Sequence, residues 1–186
     1  MKKIEVATLA GGCFWCTEAL FKRLRGVESV LPGYSGGTVE NPSYEDVCEA
    51  TTGHAEAVQV TFDPEQIPFE KILDIFWHTH NPTTLNQQGH DVGTQYRSAI
   101  FYYDAHQKEV AEASKAAFEK EGLYKEKVVT EIKPFTQFYE AENYHKNYFD
   151  KHQESSYCGV IISPKIHTLL QKYGKDVKAE YASEAD

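Results

Sequence analysis

The stretch from Ile4 to Cys16 limits what this chain can fold into more than any other part of it. Residues 4–10 form a short, mostly apolar run bounded by glycine, which reads as a buried strand. Residues 14–25 then place Ala19, Leu20 and Leu24 on one helical face and stop at Gly26, which reads as a helix closed by glycine. The strand therefore passes through Gly11-Gly12 straight into a helix, and Cys13 sits at the join. Free backbone N–H groups and the helix dipole favour an anion at that place. The Cys13 pKa is expected to fall, and thiolate is the reactive form of cysteine. The two glycines let the backbone bend tightly and leave the sulfur open to a substrate. Phe14 and Trp15 would form an apolar wall beside it. The competing reading is that Cys13 is a small core residue at a strand–helix junction.

Further along, Val27 to Tyr34 is extended and ends in the turn Ser35-Gly36-Gly37. Val58, Val60 and Phe62 alternate with polar residues, a half-buried strand closed by Asp63-Pro64. Pro68 starts a helix carrying Ile72, Leu73, Ile75 and Phe76. Residues 81–96 read as a long polar loop, and such loops in compact domains are usually functional. Ser98 to Tyr103 reads as a strand, and Asp104 with Gln107 as the cap of a helix to about 121. A β-branched strand is expected at 127–133, a helix at 141–152, a turn at Ser155-Ser156 and a short helix after Pro164. The polar tail from Lys175 is expected to fray. The irregular alternation of strands and helices predicts an α+β two-layer sandwich over a mixed or antiparallel sheet, with residues 1–186 as one catalytic domain.

The formal net charge of −9 disfavours a phosphate backbone as partner, so no nucleic acid is expected. No stretch approaches the about 20 apolar residues of a membrane span, and no membrane association is expected. The start, Met1-Lys2-Lys3, leads into a run that is too short and too charged for an export signal. The expected compartment is therefore the reducing cytoplasm, where four cysteines point to chemistry or metal rather than to structural disulfides. Cys13 and Cys16 also form a C-x-x-C, which opens two other readings: a thioredoxin-like disulfide exchanger, and a zinc site with Cys48 and Cys158. A lone C-x-x-C makes the zinc site the weaker of the two, and Phe-Trp between the cysteines is unusual for the exchanger. No organic cofactor or metal is expected.

Five segments occur in order: Gly12-Cys13-Phe14-Trp15, Gly33-Tyr34-Ser35-Gly36-Gly37, Gly53-His54-Ala55-Glu56-Ala57-Val58, Asp91-Val92-Gly93-Thr94-Gln95-Tyr96-Arg97-Ser98 and Glu142-Asn143-Tyr144-His145. Asn41-Pro42-Ser43-Tyr44 adds to them. In these the chain resembles the A-type peptide-methionine sulfoxide reductases, from about residue 4 to about residue 170. The resemblance implies a ferredoxin-like core with an irregular C-terminal segment. It also implies reduction of the S epimer of methionine sulfoxide, free or in oxidised proteins, with thioredoxin as reductant.

A sulfoxide sulfur is a poor electrophile until its oxygen is protonated or hydrogen-bonded. Cys13 is the candidate nucleophile, and its attack releases methionine and leaves a sulfenic acid. Glu56 is the candidate acid that the resemblance implies: it heads a strand whose alternate residues are apolar, where partial burial raises a carboxyl pKa, although an isolated glutamate there more often faces solvent. Tyr34 and Tyr96 are the candidate phenolic donors, each in a segment that carries the resemblance. Phe14 and Trp15 are expected to hold the S-methyl group. Asp91 is expected either to hold backbone donors and position substrate or to make a loop-capping turn. His145 and Glu142 resemble a family pair beside the site. Cys158, in a C-terminal segment expected to be mobile, matches a recycling cysteine, and a disulfide with Cys13 would then be reduced by exchange with thioredoxin. Cys16 stands where the commonest family pattern has glycine, and cysteines three apart at a helix start can also bridge. Cys158 is the favoured first resolver, Cys16 the alternative, and Cys48 is expected in the core.

Overall fold

In the computed structural model, which describes residues 3–185, strand β1 (Glu5–Gly11) is central to a six-stranded sheet. It pairs antiparallel with β3 (Ala55–Phe62) on one side and with β6 (Ser98–Tyr102) on the other. β2 (Val27–Ser35) extends the sheet beyond β3, and β8 (Phe138–Glu140) closes that edge. At the far edge β7 (Glu131–Pro134) runs parallel to β6. The order is β7-β6-β1-β3-β2-β8, so the sheet is mixed, with one parallel pair.

The two faces of the sheet are packed differently, as the period of two in a strand requires. Ala7, Leu9, Val58, Val60 and Phe62 face the large core. That core is completed by α1 (Phe14–Phe21), α3 (Phe69–Thr79), α4 (Ala105–Glu121) and α6 (Ser163–Tyr173). The opposite face offers mainly small residues, Ala10, Ala55, Ala57 and Ala99, which Phe101, Phe135 and Phe138 cover without any helix. Among the described residues no helix is long and apolar enough to cross a membrane.

Several expected elements change at their ends. α1 stops at Phe21 because its last turn tightens, with Arg23 and Leu24 donating to the carbonyls three residues back. The chain then reverses at Gly26, where φ is +85° and a Cβ would meet Ile67. The 81–96 loop is not structureless: it holds a two-strand hairpin, β4 (Gln87–Gln88) with β5 (Asp91–Val92), and a 3-10 turn at Thr94–Tyr96. The expected strand at 127–133 pairs only from Glu131. The expected helix at 141–152 is broken by Asn147 in the left-handed region, leaving a 3-10 turn at Asn143–His145 and α5 (Tyr148–Lys151). Helix α2 (Tyr44–Cys48), with its capping box between Ser43 and Asp46, and strand β8 were not anticipated.

The end of the chain corrects two expectations. Cys158 is not in a loose segment: it is fully buried in a π turn, Cys158–Ile162, that runs directly into α6. The polar tail is docked rather than frayed. Val177 bridges to Leu24, and Glu184 binds the guanidinium of Arg23, which is fully buried. A buried cation requires a partner, and residues 179–185 supply it. Asp186, Met1 and Lys2 lie outside the described residues.

Candidate active site

Cys13 is the N-cap of α1, placed there by the turn through Gly12 at φ +94°. A side chain on Gly12 would collide with Gln88, so the junction is packed as well as bent. Glu56 lies beneath this helix start, because the period of two in β3 puts it on the same face as Val58, Val60 and Phe62. Its Oε2 accepts the backbone N–H of Phe14 at 3.0 Å. The amide expected to stabilise a Cys13 thiolate is therefore engaged by the carboxyl instead.

That arrangement reverses the expected direction for Cys13. Burial first, then the hydrogen-bonded Cys16 thiol and the Glu56 charge, holds the Cys13 thiol well above the usual cysteine range. Its side chain is only 6% exposed. Cys16 moves the other way, down to about 7, chiefly through the hydrogen bond it shares with Cys13 and with help from the Lys165 charge, against its burial. Burial raises Glu56 to about 8, opposed by the Phe14 amide, so the carboxyl is protonated at neutral pH. A protonated Glu56 withdraws the negative charge that opposes ionisation of Cys13. Protonation of Glu56 and ionisation of Cys13 thus favour each other in this site.

Aromatic rings enclose the helix start. Phe14 lies 5.7 Å from the Tyr34 ring, 6.4 Å from Tyr44 and 5.0 Å from His145. Trp15 stacks on Tyr148 at 3.7 Å and donates from Nε1 to His145 Nδ1 at 2.9 Å. His145 therefore carries its proton on Nε2, which is buried and has no hydrogen-bond partner among the described residues. Glu142 collects donors: the Tyr34 hydroxyl at 3.0 Å, the Tyr44 amide at 3.1 Å and the Tyr144 hydroxyl at 3.3 Å. Glu18 binds the Asn147 amide with both oxygens, at 2.9 and 3.1 Å, tying the His145 segment to α1.

Residues 5–178 match the peptide methionine sulfoxide reductase family. The chain is 57% identical over 175 residues to peptide methionine sulfoxide reductase MsrA of Saccharolobus solfataricus, spanning 94% of this chain and 98% of that one. The chain belongs to the peptide methionine sulfoxide reductase family. Its identity to the Thermus thermophilus reductase of the same name is 55% over 169 residues, 91% of this chain and 95% of that one. Mxr1 from Saccharomyces cerevisiae in reduced form superposes with a TM-score of 0.77 at 34% identity, covering 84% of this chain and 90% of that one. Mxr1 in complex with Trx2 gives 0.54 at 25% identity, covering 78% and 85%.

Within this reductase Cys13, Glu56, Phe14, Trp15, His145 and Cys16 are linked by contacts about the start of α1, while Tyr34, Asp91 and Cys48 are placed otherwise than expected. The Tyr34 hydroxyl is turned to Glu142, and a phenol has one proton to give, so Tyr34 is not free to donate to a substrate oxygen. Tyr44, unassigned from the sequence although its segment was noted, is stacked against Phe14; burial first, then a hydrogen bond with the Cys48 thiol, a weak acceptor, and the Glu56 charge hold its phenol up and protonated. Burial first, then Glu56 and Cys13, holds the Tyr96 phenol up and protonated. Asp91 holds no backbone cluster: its carboxylate accepts the Tyr157 hydroxyl at 2.8 Å. Cys48 is exposed at the end of α2 rather than in the core. The four cysteines do not gather, and no group of three or more metal-ligating side chains is found among the described residues.

Proposed function

We propose that the chain reduces the S epimer of methionine sulfoxide, free or in oxidised proteins, through Cys13 with Glu56 as acid, and that thioredoxin restores it. The observation that carries this reading is the Glu56 carboxyl, protonated and bonded to the Phe14 amide, immediately below the cysteine at the helix start. Tyr44 and Tyr96 are the phenols left to bind the sulfinyl oxygen, in place of the expected pair Tyr34 and Tyr96. Phe14 and Trp15 wall the methyl slot. Glu142 and His145 hold the aromatic wall and the substrate side of the pocket.

Attack by the Cys13 thiolate, with protonation of the oxygen by Glu56, yields methionine and a Cys13 sulfenic acid. Cys16, already hydrogen-bonded to Cys13, resolves it first, and water leaves as the disulfide forms. Cys158, fully buried in its π turn, acts after Cys16. The solved complex of Mxr1 with Trx2 supports thioredoxin as the reductant. The inner strands β6-β1-β3-β2, with α1 and α3 as crossovers, are read as the ferredoxin-like core, and both faces of one sheet serve a single catalytic domain. The cysteine usage favours a reducing, cytoplasmic setting.

The test is a reductant-free single turnover with methionine S-sulfoxide. The parent chain releases about one methionine per chain and loses two thiols, and Cys13→Ser releases none. Methionine release by Cys13→Ser would remove the nucleophile assignment.

A further inference from the structure

Tyr157 lies at the centre of the site, although nothing in the sequence singled it out. Its ring meets Trp15 edge-on, with centroids 5.7 Å apart and planes at 83°. Its hydroxyl donates to Asp91 Oδ2 at 2.8 Å, which commits its only proton. The same oxygen stands 3.9 Å from Cys16 Sγ, within reach of a thiol donor. Cys16, Tyr157 and Asp91 thus form a continuous chain of hydrogen bonds from the second sulfur outward. Asp91 is half-buried and opens on a cavity of about 350 Å³ lined by Gln88, His90, Tyr157, Val160 and Lys165, so a proton that reaches it can pass to water.

We propose that Tyr157 is a catalytic residue of the disulfide-forming step, taking the proton of the Cys16 thiol while its own proton passes to Asp91. The proposal rests on the reading in which Cys13 becomes a sulfenic acid and Cys16 resolves it. Cys16 sulfur then attacks Cys13 sulfur, the S–S bond forms, and the S–O bond breaks. Glu56, reprotonated from solvent after the sulfoxide step, gives its proton to the departing hydroxide, which leaves as water. Asp91 releases the proton it received to solvent, and Glu56 takes a proton back from solvent. One thiol and one sulfenic acid become one disulfide and one water, with no further oxidant or reductant. The edge-on packing of Tyr157 on Trp15 fixes its hydroxyl between Cys16 and Asp91 before the reaction, as a proton relay requires.

The experiment is a reductant-free turnover of the full chain with excess methionine S-sulfoxide, followed from about pH 6 to about pH 9. Released methionine, remaining thiols and sulfenic acid on Cys13, trapped by dimedone and read by mass spectrometry, are measured together. In Tyr157→Phe, which keeps the ring on Trp15, the Cys13 sulfenic acid accumulates near pH 6 and thiol loss lags methionine release by about tenfold or more. The lag shrinks toward pH 9, where Cys16 ionises unaided. Asp91→Asn, which breaks the chain at its outer end, gives the same pH-dependent lag. Disulfide closure in Tyr157→Phe at the parental rate across the range overturns the proposal, as does a lag that does not change with pH. Parental loss of both thiols in Cys16→Ser overturns it too. Absence of methionine release from the parent chain would instead defeat the sulfoxide-reductase reading on which it stands.

Discussion

Glu56 shows how one side chain sets the chemistry of its neighbours. Its proton is retained up to about pH 8 because burial outweighs the amide bond from Phe14. The acid form is the useful one, and it is lost as pH rises through that value. Methionine release in a single turnover should therefore rise with pH as the Cys13 thiolate forms and level off above about pH 8, where loss of the Glu56 proton offsets further ionisation. Glu56→Gln should be slower by about a hundredfold or more and keep rising past that value. A levelling near pH 8 that persists in Glu56→Gln would assign the titration to another group. The tyrosines divide in the same way. Tyr44→Phe is expected to slow release by about ten- to a hundredfold, as loss of one donor to a developing oxyanion does. Tyr34→Phe removes a bond to Glu142 instead, so its release rate should fall by much less, and equal losses in the two variants would contradict the division. Alternation along β3 made the burial of Glu56 legible in the sequence, but only the family resemblance pointed to it as an acid. The choice between tyrosines was not legible, since it depends on where each hydroxyl finds a partner, and Glu142 lies over a hundred residues from Tyr34.

Helix α1 carries Cys13 at its start, and its position depends on groups distant in sequence. The strand–glycine–helix junction was readable because it is local: an apolar run, two glycines and a one-faced repeat. The lowered Cys13 pKa expected from the helix dipole did not materialise, because a carboxyl from β3 occupies the helix start. No local pattern reports that. The same holds for Glu18, which is buried, raised to about 6 by that burial against the Asn147 bond, and grips the segment bearing His145. Glu18→Ala leaves the Asn147 amide without its acceptor. Chemical denaturation should show a loss of about 1–3 kcal/mol, with faster amide exchange at 143–151 than at 105–121. Uniform exchange in the two segments would deny Glu18 its anchoring role. Helix α2 and strand β8 escaped the sequence reading because they are five and three residues long, too short for a period to show.

At the scale of the whole molecule, the central strands, the long helices and the order of the motifs along the chain were all visible in the sequence. The closing layers were not. The unhelical face depends on alanines from three strands meeting Phe101 of β6 and the later Phe135 and Phe138. The tail looked polar because its charges are spent on partners elsewhere, Glu184 on Arg23 above all. Arg23 is fully buried, while Glu184 is about a third exposed and Asp150 stays within 3.5 Å of the guanidinium. Glu184→Ala should therefore cost about 2 kcal/mol, below the usual range for breaking a fully buried pair. An unchanged denaturation midpoint would return the tail to the status first expected of it. Arg23 sits two residues beyond the helix that bears Cys13 and Cys16, and its carboxylate partner Glu184 comes from a segment that otherwise lies far along the chain. Loss of that contact leaves a buried guanidinium short of counter-charge at the foot of the helix that holds both thiols.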